Sequence, residues 1–161
     1  MRTVDEDASR APPRVCFQVA TDVQKWPDFL PHYRWVRFRR LDGFGRGLVE
    51  MAARRPFGPM AYPTWWLSEM DHRPEERIVL YRHVEGITRG MEVRWEVSST
   101  KGGGSRLRII HEWDGPDWPL IGRAVADRVI GPHFVSHIAG RTLAGVSREA
   151  ERLWLEERTA T

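Results

Sequence analysis

The chain has 161 residues, so we expect a single domain over residues 1–161. Its 25 Lys and Arg residues and 22 Asp and Glu residues leave a formal net charge of +3, and the positive residues are spread along the whole chain. This excludes a basic block of the kind that reads phosphates. We therefore predict no nucleic-acid partner and expect the arginines on a solvated outer sheet face.

The sequence also bears on the compartment. No stretch approaches the roughly 18 consecutive apolar residues of a membrane span, which predicts no integral membrane association. Residues 1–10 are too charged for the apolar region of a secretory signal. The one cysteine, Cys16, excludes an internal disulfide, and we expect it in the core on the first helix. We expect a cytoplasmic protein.

The first elements in chain order are a strand and two short helices. Residues 3–9 predict a weakly patterned strand, and Pro12-Pro13 suits the start of a helix. The Trp26-Pro27 step ends this helix, and a second short helix covers about 25–30. One face of the first helix carries four apolar side chains: Val15, Cys16, Val19 and Val23.

A run of strands follows, and the short connections between consecutive strands make the sheet antiparallel. The glycines of 43–47 supply the positive φ values of a hairpin, and their spacing excludes a dinucleotide-binding loop. We expect this loop and Gly58-Pro59 at the rim of a cavity. The predicted strands cover about 34–41, 47–54, 62–70, 77–84, 91–98 and 106–113.

From about 119 to 157 the apolar period changes to 3.6, which predicts helix. Gly131-Pro132 divides it into a short lead-in and a long helix that begins near residue 132. His133 and His137 have the spacing of a metal pair but lie opposite the apolar stripe without a third ligand, so we predict no metal. The stripe consists of Val135, Ile138, Ala139, Thr142, Leu143, Val146, Ala150 and Leu153.

Several local motifs resemble a known family. They are Pro12-Pro13 with Val15, Phe17 and Val19, then Trp26-Pro27 with Phe29-Leu30-Pro31, the Glu85-Gly86 and Arg89-Gly90-Met91 hairpin, and Ile138-Ala139 with Thr142-Leu143. Over nearly its whole length the chain resembles the polyketide cyclase/dehydrase branch of the START-like (Bet v 1-like) superfamily. The resemblance implies an α+β helix-grip fold, in which a curved antiparallel sheet of about seven strands surrounds a long C-terminal helix. Two short helices lie between strands one and two.

Strand alternation indicates which side chains face the interior, where we expect room for a guest molecule. An inward apolar face on the last two strands places His111 near Trp95 and Ile109. On the fifth strand an outward Arg82 turns Tyr81 and His83 inward, whereas a register one residue different brings Arg82 inward to bind a carbonyl group. The ligand-binding candidates are Trp66, Ser68, Arg82, Met91, Val93, Trp95, Ile109, Trp113, Ile138 and Thr142.

Two functions stay open, and neither calls for a cofactor. The first is a lyase-type cyclase/dehydratase that acts on a polyketide held by an acyl carrier protein, with His111 or His83 as acid and base and Tyr81 polarising a carbonyl. The second is a noncatalytic carrier or chaperone for a quinone or lipid, in which each histidine is a hydrogen-bonded wall residue. Tryptophan-rich walls favour a rigid aromatic guest over a flexible alkyl chain. Monomer and homodimer are both compatible with the sequence.

Overall fold

The structure is a computed structural model that describes residues 1–43, 45–57, 60–115 and 135–160, without the side chains of 55–57 and 60–62. Seven antiparallel strands form one curved sheet. A long C-terminal helix packs on its inner face, and two short helices lie between the first and second strands. This confirms the helix-grip fold that the resemblance implies.

The strands are β1 (Arg2–Ser9), β2 (Tyr33–Gly43), β3 (Arg46–Phe57), β4 (Met60–Arg73), β5 (Ile78–Gly86), β6 (Glu92–Ser99) and β7 (Ser105–Glu112). Their order in the sheet is β1-β7-β6-β5-β4-β3-β2. Strands β3 and β4 are longer than the sequence predicts on either side of their connection. The helices are α1 (Pro13–Thr21), a 3-10 turn (Val23–Lys25), α2 (Trp26–Phe29) and α3 (Ser136–Thr159).

The apolar stripe of α3 is buried as its period of 3.6 predicts. Ala139, Leu143 and Val146 all lie in the core that α3 shares with the sheet and with α1, and Ile138 is buried as well. Cys16 is buried on α1, as expected. The predicted lead-in helix and His133 lie outside the described residues. Among the described helices, none is long and apolar enough to cross a membrane.

Strand β5 has the register that turns Tyr81 and His83 inward. Tyr81 pairs with Met70 on β4 and Val93 on β6, and both it and His83 are buried. Arg82 lies on the outer face, where its guanidinium donates to the Glu69 carboxylate at 2.6 Å. The alternative register, with Arg82 inside, is therefore not the one adopted.

The turn after β5 depends on a glycine. Gly86 has φ of 98°, and a Cβ there would lie 2.7 Å from the Cα of Trp66 and closer still to the carbonyl oxygen of Trp65. Trp66 and Gly86 are directly paired across the ladder, so neither strand can retreat without breaking the pairing. The residue thus combines a left-handed backbone with a close approach that only glycine permits.

We predict that Gly86→Ala lowers the free energy of unfolding by about 2 kcal/mol or more, because strain and a backbone clash combine. Gly103→Ala is the matched control: Gly103 also has a positive φ, 85°, but a Cβ there would meet nothing within 4 Å. Its expected loss is about 1 kcal/mol. Urea unfolding of both variants measures the difference, and equal losses would show that the close approach to β4 carries no energy.

Candidate functional site

A cavity lies between the inner face of the sheet and the start of α3. Its volume is about 60 Å³, room for about two waters at the ~30 Å³ each occupies in the liquid. Its walls come from β2 to β7, α2 and α3. The lining residues are Trp26, Tyr33, Met51, Trp66, Tyr81, His83, Met91, Val93, Trp95, Ile109, His111, Val135, Ile138, Ala139 and Thr142.

The cavity is smaller than the sequence led us to expect, because its own aromatic walls fill it. The Trp26 ring lies 5.2 Å from the ring of Tyr33 and 5.5 Å from that of Trp95, centroid to centroid. Tyr33 in turn packs edge-on against Trp66 at 6.2 Å. Pockets that hold drug-sized ligands measure roughly 300–1,000 Å³. A guest with an aromatic ring must therefore widen this cavity.

The described lining residues include no carboxylate, lysine or arginine. Apart from three indole N–H groups, the polar groups in the described part of the wall are two phenols, two imidazoles and one threonine hydroxyl, namely those of Tyr33, Tyr81, His83, His111 and Thr142. A ligand here meets apolar surface and a few neutral hydrogen-bonding groups. The arrangement suits an uncharged molecule with polar atoms at defined positions.

The hydroxyl of Tyr81 is buried and has no hydrogen-bond partner among the described residues. Burial raises the pKa of Tyr81 and the neighbouring phenol of Tyr33 raises it further, so the group stays a neutral O–H donor. Ser68 carries a second hydroxyl that has no partner among the described residues. Ser68 lies on β4, two residues after Trp66, and is fully buried but does not line the cavity. Each such orphan destabilises the folded protein by about 1–3 kcal/mol.

The two histidines in the wall differ in their surroundings. His83 is buried, its ring stacks on Trp66 at a centroid distance of 5.8 Å, and its Nδ1 lies 2.6 Å from the hydroxyl oxygen of Thr88. His111 is half-buried, and its Nδ1 lies 3.4 Å from the hydroxyl oxygen of Thr3. The contact of His83 with Thr88 is short and buried, whereas the contact of His111 with Thr3 is at the distance limit for a hydrogen bond.

A third histidine adjoins the cavity and was missed by the sequence analysis. His32 is 3% exposed, and its Nε2 lies 2.9 Å from the hydroxyl oxygen of Thr142, whose own proton goes to the carbonyl of Ile138 at 2.8 Å. Neutral Nε2–H therefore donates to Thr142. Burial, helped by the positive charge of Arg141 and by the His137 ring, lowers the pKa of His32 to about 4.

Most of the predicted site residues line the cavity. These are Trp66, Tyr81, His83, Met91, Val93, Trp95, Ile109, His111, Ile138 and Thr142. Arg82 lies outside the sheet and Ser68 behind the wall. Trp113 comes after the end of β7, and its indole N–H donates to the carbonyl of Arg89 at 2.9 Å, so it braces the β5–β6 hairpin instead.

Several lining residues were not predicted, and the most important are Trp26 and Tyr33. They belong to the segment around α2, between β1 and β2, and both line the cavity. The presence of two large aromatic side chains in that short segment was the one feature of the sequence that could have indicated a role in the cavity wall. Within the described ranges, no group of three or more His, Cys, Asp and Glu residues is arranged to hold a metal ion.

Comparisons with known proteins agree with the fold. Residues 9–129 match the family described as polyketide cyclase / dehydrase and lipid transport. No curated protein matches the sequence.

Solved structures share the architecture at low sequence identity. TTHA0849 of Thermus thermophilus is 18% identical with a TM-score of 0.77, and the match covers 93% of this chain and 97% of that one. The Zhui aromatase/cyclase of Streptomyces is 20% identical with a TM-score of 0.74, covering 94% of both chains. A START superfamily protein of Mycobacterium smegmatis is 13% identical with a TM-score of 0.66, covering 96% and 97%.

Proposed function

The chain belongs to the family of polyketide cyclases, dehydrases and lipid-transport proteins, and on that premise we propose that it binds a rigid, polyketide-like or aromatic molecule and catalyses its cyclisation or dehydration. The observation that carries this proposal is the aromatic cavity, whose described lining has no charged side chain and includes the Tyr81 hydroxyl, which has no partner among the described residues. A carbonyl oxygen on the guest would accept a hydrogen bond from the Tyr81 hydroxyl. This bond would remove the free-energy cost of a buried donor without an acceptor.

Entry of the guest requires the walls to move. A single aromatic ring exceeds the about 60 Å³ of the closed cavity. Met51 and Met91 line it with unbranched side chains that have three rotatable bonds, and rotation of both is the least costly way to open space. The guest's ring then replaces methionine contacts with contacts to Trp66 and Trp95.

The wall also carries the groups that the chemistry needs. Ring closure by aldol addition begins when a base takes a proton from a carbon between two carbonyls, and the resulting enolate carbon attacks a third carbonyl. A donor stabilises the oxygen that becomes negative, and an acid protonates it; loss of one water then gives the unsaturated ring. His111 or His83 takes the proton as base and returns it as acid, and Tyr81 supplies the donor. The growing chain would arrive as a thioester on an acyl carrier protein.

Tyr81→Phe tests the binding step. Because the mutation deletes an orphan hydroxyl, we expect the free energy of unfolding without ligand to stay equal or rise by about 1 kcal/mol. The affinity for 1-indanone, followed by tryptophan fluorescence, should fall about threefold to tenfold, while the affinity for indane, which lacks the carbonyl, should not change. Equal losses for both compounds would contradict a carbonyl contact at Tyr81.

His111→Phe tests the catalytic step against the noncatalytic alternative, a carrier for a quinone or lipid. The substrate is a poly-β-ketone thioester of N-acetylcysteamine, and the appearance of aromatic product is followed by absorbance. An enzyme should lose about 100-fold or more in rate while still binding 1-indanone, since proton transfer typically contributes 10²–10⁴-fold. A wild-type protein that binds 1-indanone but forms no product would support the carrier.

A further inference from the structure

The buried contact between Thr88 and His83 bears on which ring nitrogen of His83 carries the proton. Thr88 lies in the turn after β5, is 2% exposed, and brings its hydroxyl oxygen to 2.6 Å from Nδ1 of His83. From this geometry we propose that Thr88 is a positioning residue that holds neutral His83 with its proton on Nε2. In this tautomer His83 donates a hydrogen bond toward the cavity and does not act as a base.

The argument rests on where the hydroxyl proton goes. A threonine hydroxyl has one proton to donate. Within the described part of the chain, the Thr88 hydroxyl forms its hydrogen bond with Nδ1 of His83. If Nδ1 carried the ring proton, Nδ1–H would donate to Thr88, and the threonine proton would be left buried without an acceptor. If Nδ1 is unprotonated, it accepts that proton and both groups are satisfied. The second arrangement is favoured because unpaired buried donors are destabilising.

The hairpin holds Thr88 firmly in this place. Its carbonyl accepts from the amide of Met91 at 3.0 Å, and the amide of Gly90 donates to the carbonyl of His83 at 2.9 Å. Opposite them, the β4–β5 ladder shifts register between Leu67 and Ser68, a bulge beside His83 that re-aims the strand. The indole of Trp113 adds a hydrogen bond to the next residue of the turn.

The consequence is a division of roles, and this step rests on the proposed function. With Nε2–H as donor, neutral His83 stabilises the oxygen that becomes negative during ring closure by a hydrogen bond. The proton that the base has taken from carbon then moves to this oxygen, so His83 keeps its own proton. The base is then His111. Its Nδ1 lies 3.4 Å from the Thr3 hydroxyl oxygen and the contact is only half-buried, so water can hydrogen-bond to the Thr3 hydroxyl instead. Thr3 therefore does not fix the tautomer of His111. Sequence position alone leaves the two histidines interchangeable.

Two-bond proton–nitrogen NMR spectra of ¹⁵N-histidine-labelled protein measure the tautomer without any ligand. At about pH 8, where an ordinary imidazole is neutral, the protonated nitrogen of His83 should be the one coupled to both carbon-bound ring protons, which is Nε2. The signal is assigned by its loss in His83→Gln. We expect this tautomer to exceed the other by about tenfold or more in the wild-type protein.

Substitutions at Thr88 test the cause. Thr88→Val keeps the shape but removes the hydroxyl, so the Nε2–H tautomer should lose its dominance; Thr88→Ser should retain it. Thr3→Val is the matched control and should leave the His83 signals unchanged. An Nδ1–H tautomer in the wild-type protein, or an unchanged tautomer in Thr88→Val, would overturn the proposal, and the wild-type spectrum decides even if the valine variant does not fold.

A binding measurement separates this proposal from the proposed function. Thr88→Val should weaken 1-indanone binding about threefold to tenfold and change indane binding by less than about twofold. If the tautomer is Nε2–H but neither compound binds the wild-type protein, the proposed function fails and the role of Thr88 stands. If both compounds bind but the tautomer is Nδ1–H, the proposed role of Thr88 fails and the proposed function stands.

Discussion

Acidification from about pH 6.5 to about pH 4 is expected to lower the free energy of unfolding by about 3 kcal/mol through His32 alone. In the unfolded chain this histidine takes up a proton near its ordinary pKa of 6.5, whereas in the folded protein it resists protonation until about pH 4. Between these values the unfolded state binds more protons, so stability falls as the pH falls. Above the upper value both states are neutral and the effect disappears.

His32→Gln isolates this contribution. A glutamine amide can still donate to the Thr142 hydroxyl but does not titrate, so the variant should lose most of the pH dependence between pH 6.5 and pH 4 while remaining stable at neutral pH to within about 1 kcal/mol. Urea unfolding at half-unit pH steps gives both curves. Parallel curves for wild type and variant would mean that His32 titrates normally in the folded state.

Glu50 acts mainly at lower pH than His32, and the two pH ranges meet between about pH 4 and about pH 4.5. Glu50 lies on the outer sheet face, where hydrogen bonds from Arg39, Arg37 and the Trp65 indole lower its pKa to about 2. Its contribution is present above its ordinary pKa of 4.5 and is lost as the pH falls from there. Both arginines are about half exposed, at 55% and 53%, so solvent reduces the gain to about 1 kcal/mol.

Local patterns were sufficient to predict the elements and their buried faces because each element carries its own periodicity, whereas the helix-grip arrangement was implied by the resemblance to a known family. The alternation of Val93 and Trp95 with charged residues on β6, and the stripe through Leu143 and Val146 on α3, identify the buried faces without any knowledge of contacts. For β5 the same alternation left two registers open, and the structure has the one that places Tyr81 and His83 inside. These features depend only on neighbours within a few residues.

Features that depend on distant contacts were not predictable. The hydrogen bond between His32 and Thr142 joins residues 110 positions apart, and nothing in either segment's pattern indicates it. Trp113 continues the alternation of β7, but the strand ends one residue earlier and the indole turns to the β5–β6 hairpin. The cavity volume depends on how three indoles pack together, which periodicity does not describe.

Trp26 closes one end of the cavity, and Trp26→Ala is expected to lower the free energy of unfolding by about 3–5 kcal/mol. The side chain is 2% exposed and packs on Tyr33 and Trp95, and its indole N–H donates to the carbonyl of Val19 at 3.1 Å. Removing it leaves a cavity next to the one already present, because the neighbouring rings are too rigid to collapse into the space. The buried Val19 carbonyl also loses its indole donor.

The same variant shows whether the cavity accepts a guest. Added indole should restore part of the lost stability, by about 1.4 kcal/mol at a concentration ten times its Kd, since it binds the folded state alone. Trp65→Ala is the control: Trp65 is 36% exposed on the outer face, so we expect a loss of about 1 kcal/mol and no effect of indole. Trp26→Leu keeps the test available if the alanine variant does not fold. Thermal unfolding with and without indole measures all three, and the absence of any rescue at Trp26 would mean that the walls close on themselves, which would remove the physical basis for an internal ligand.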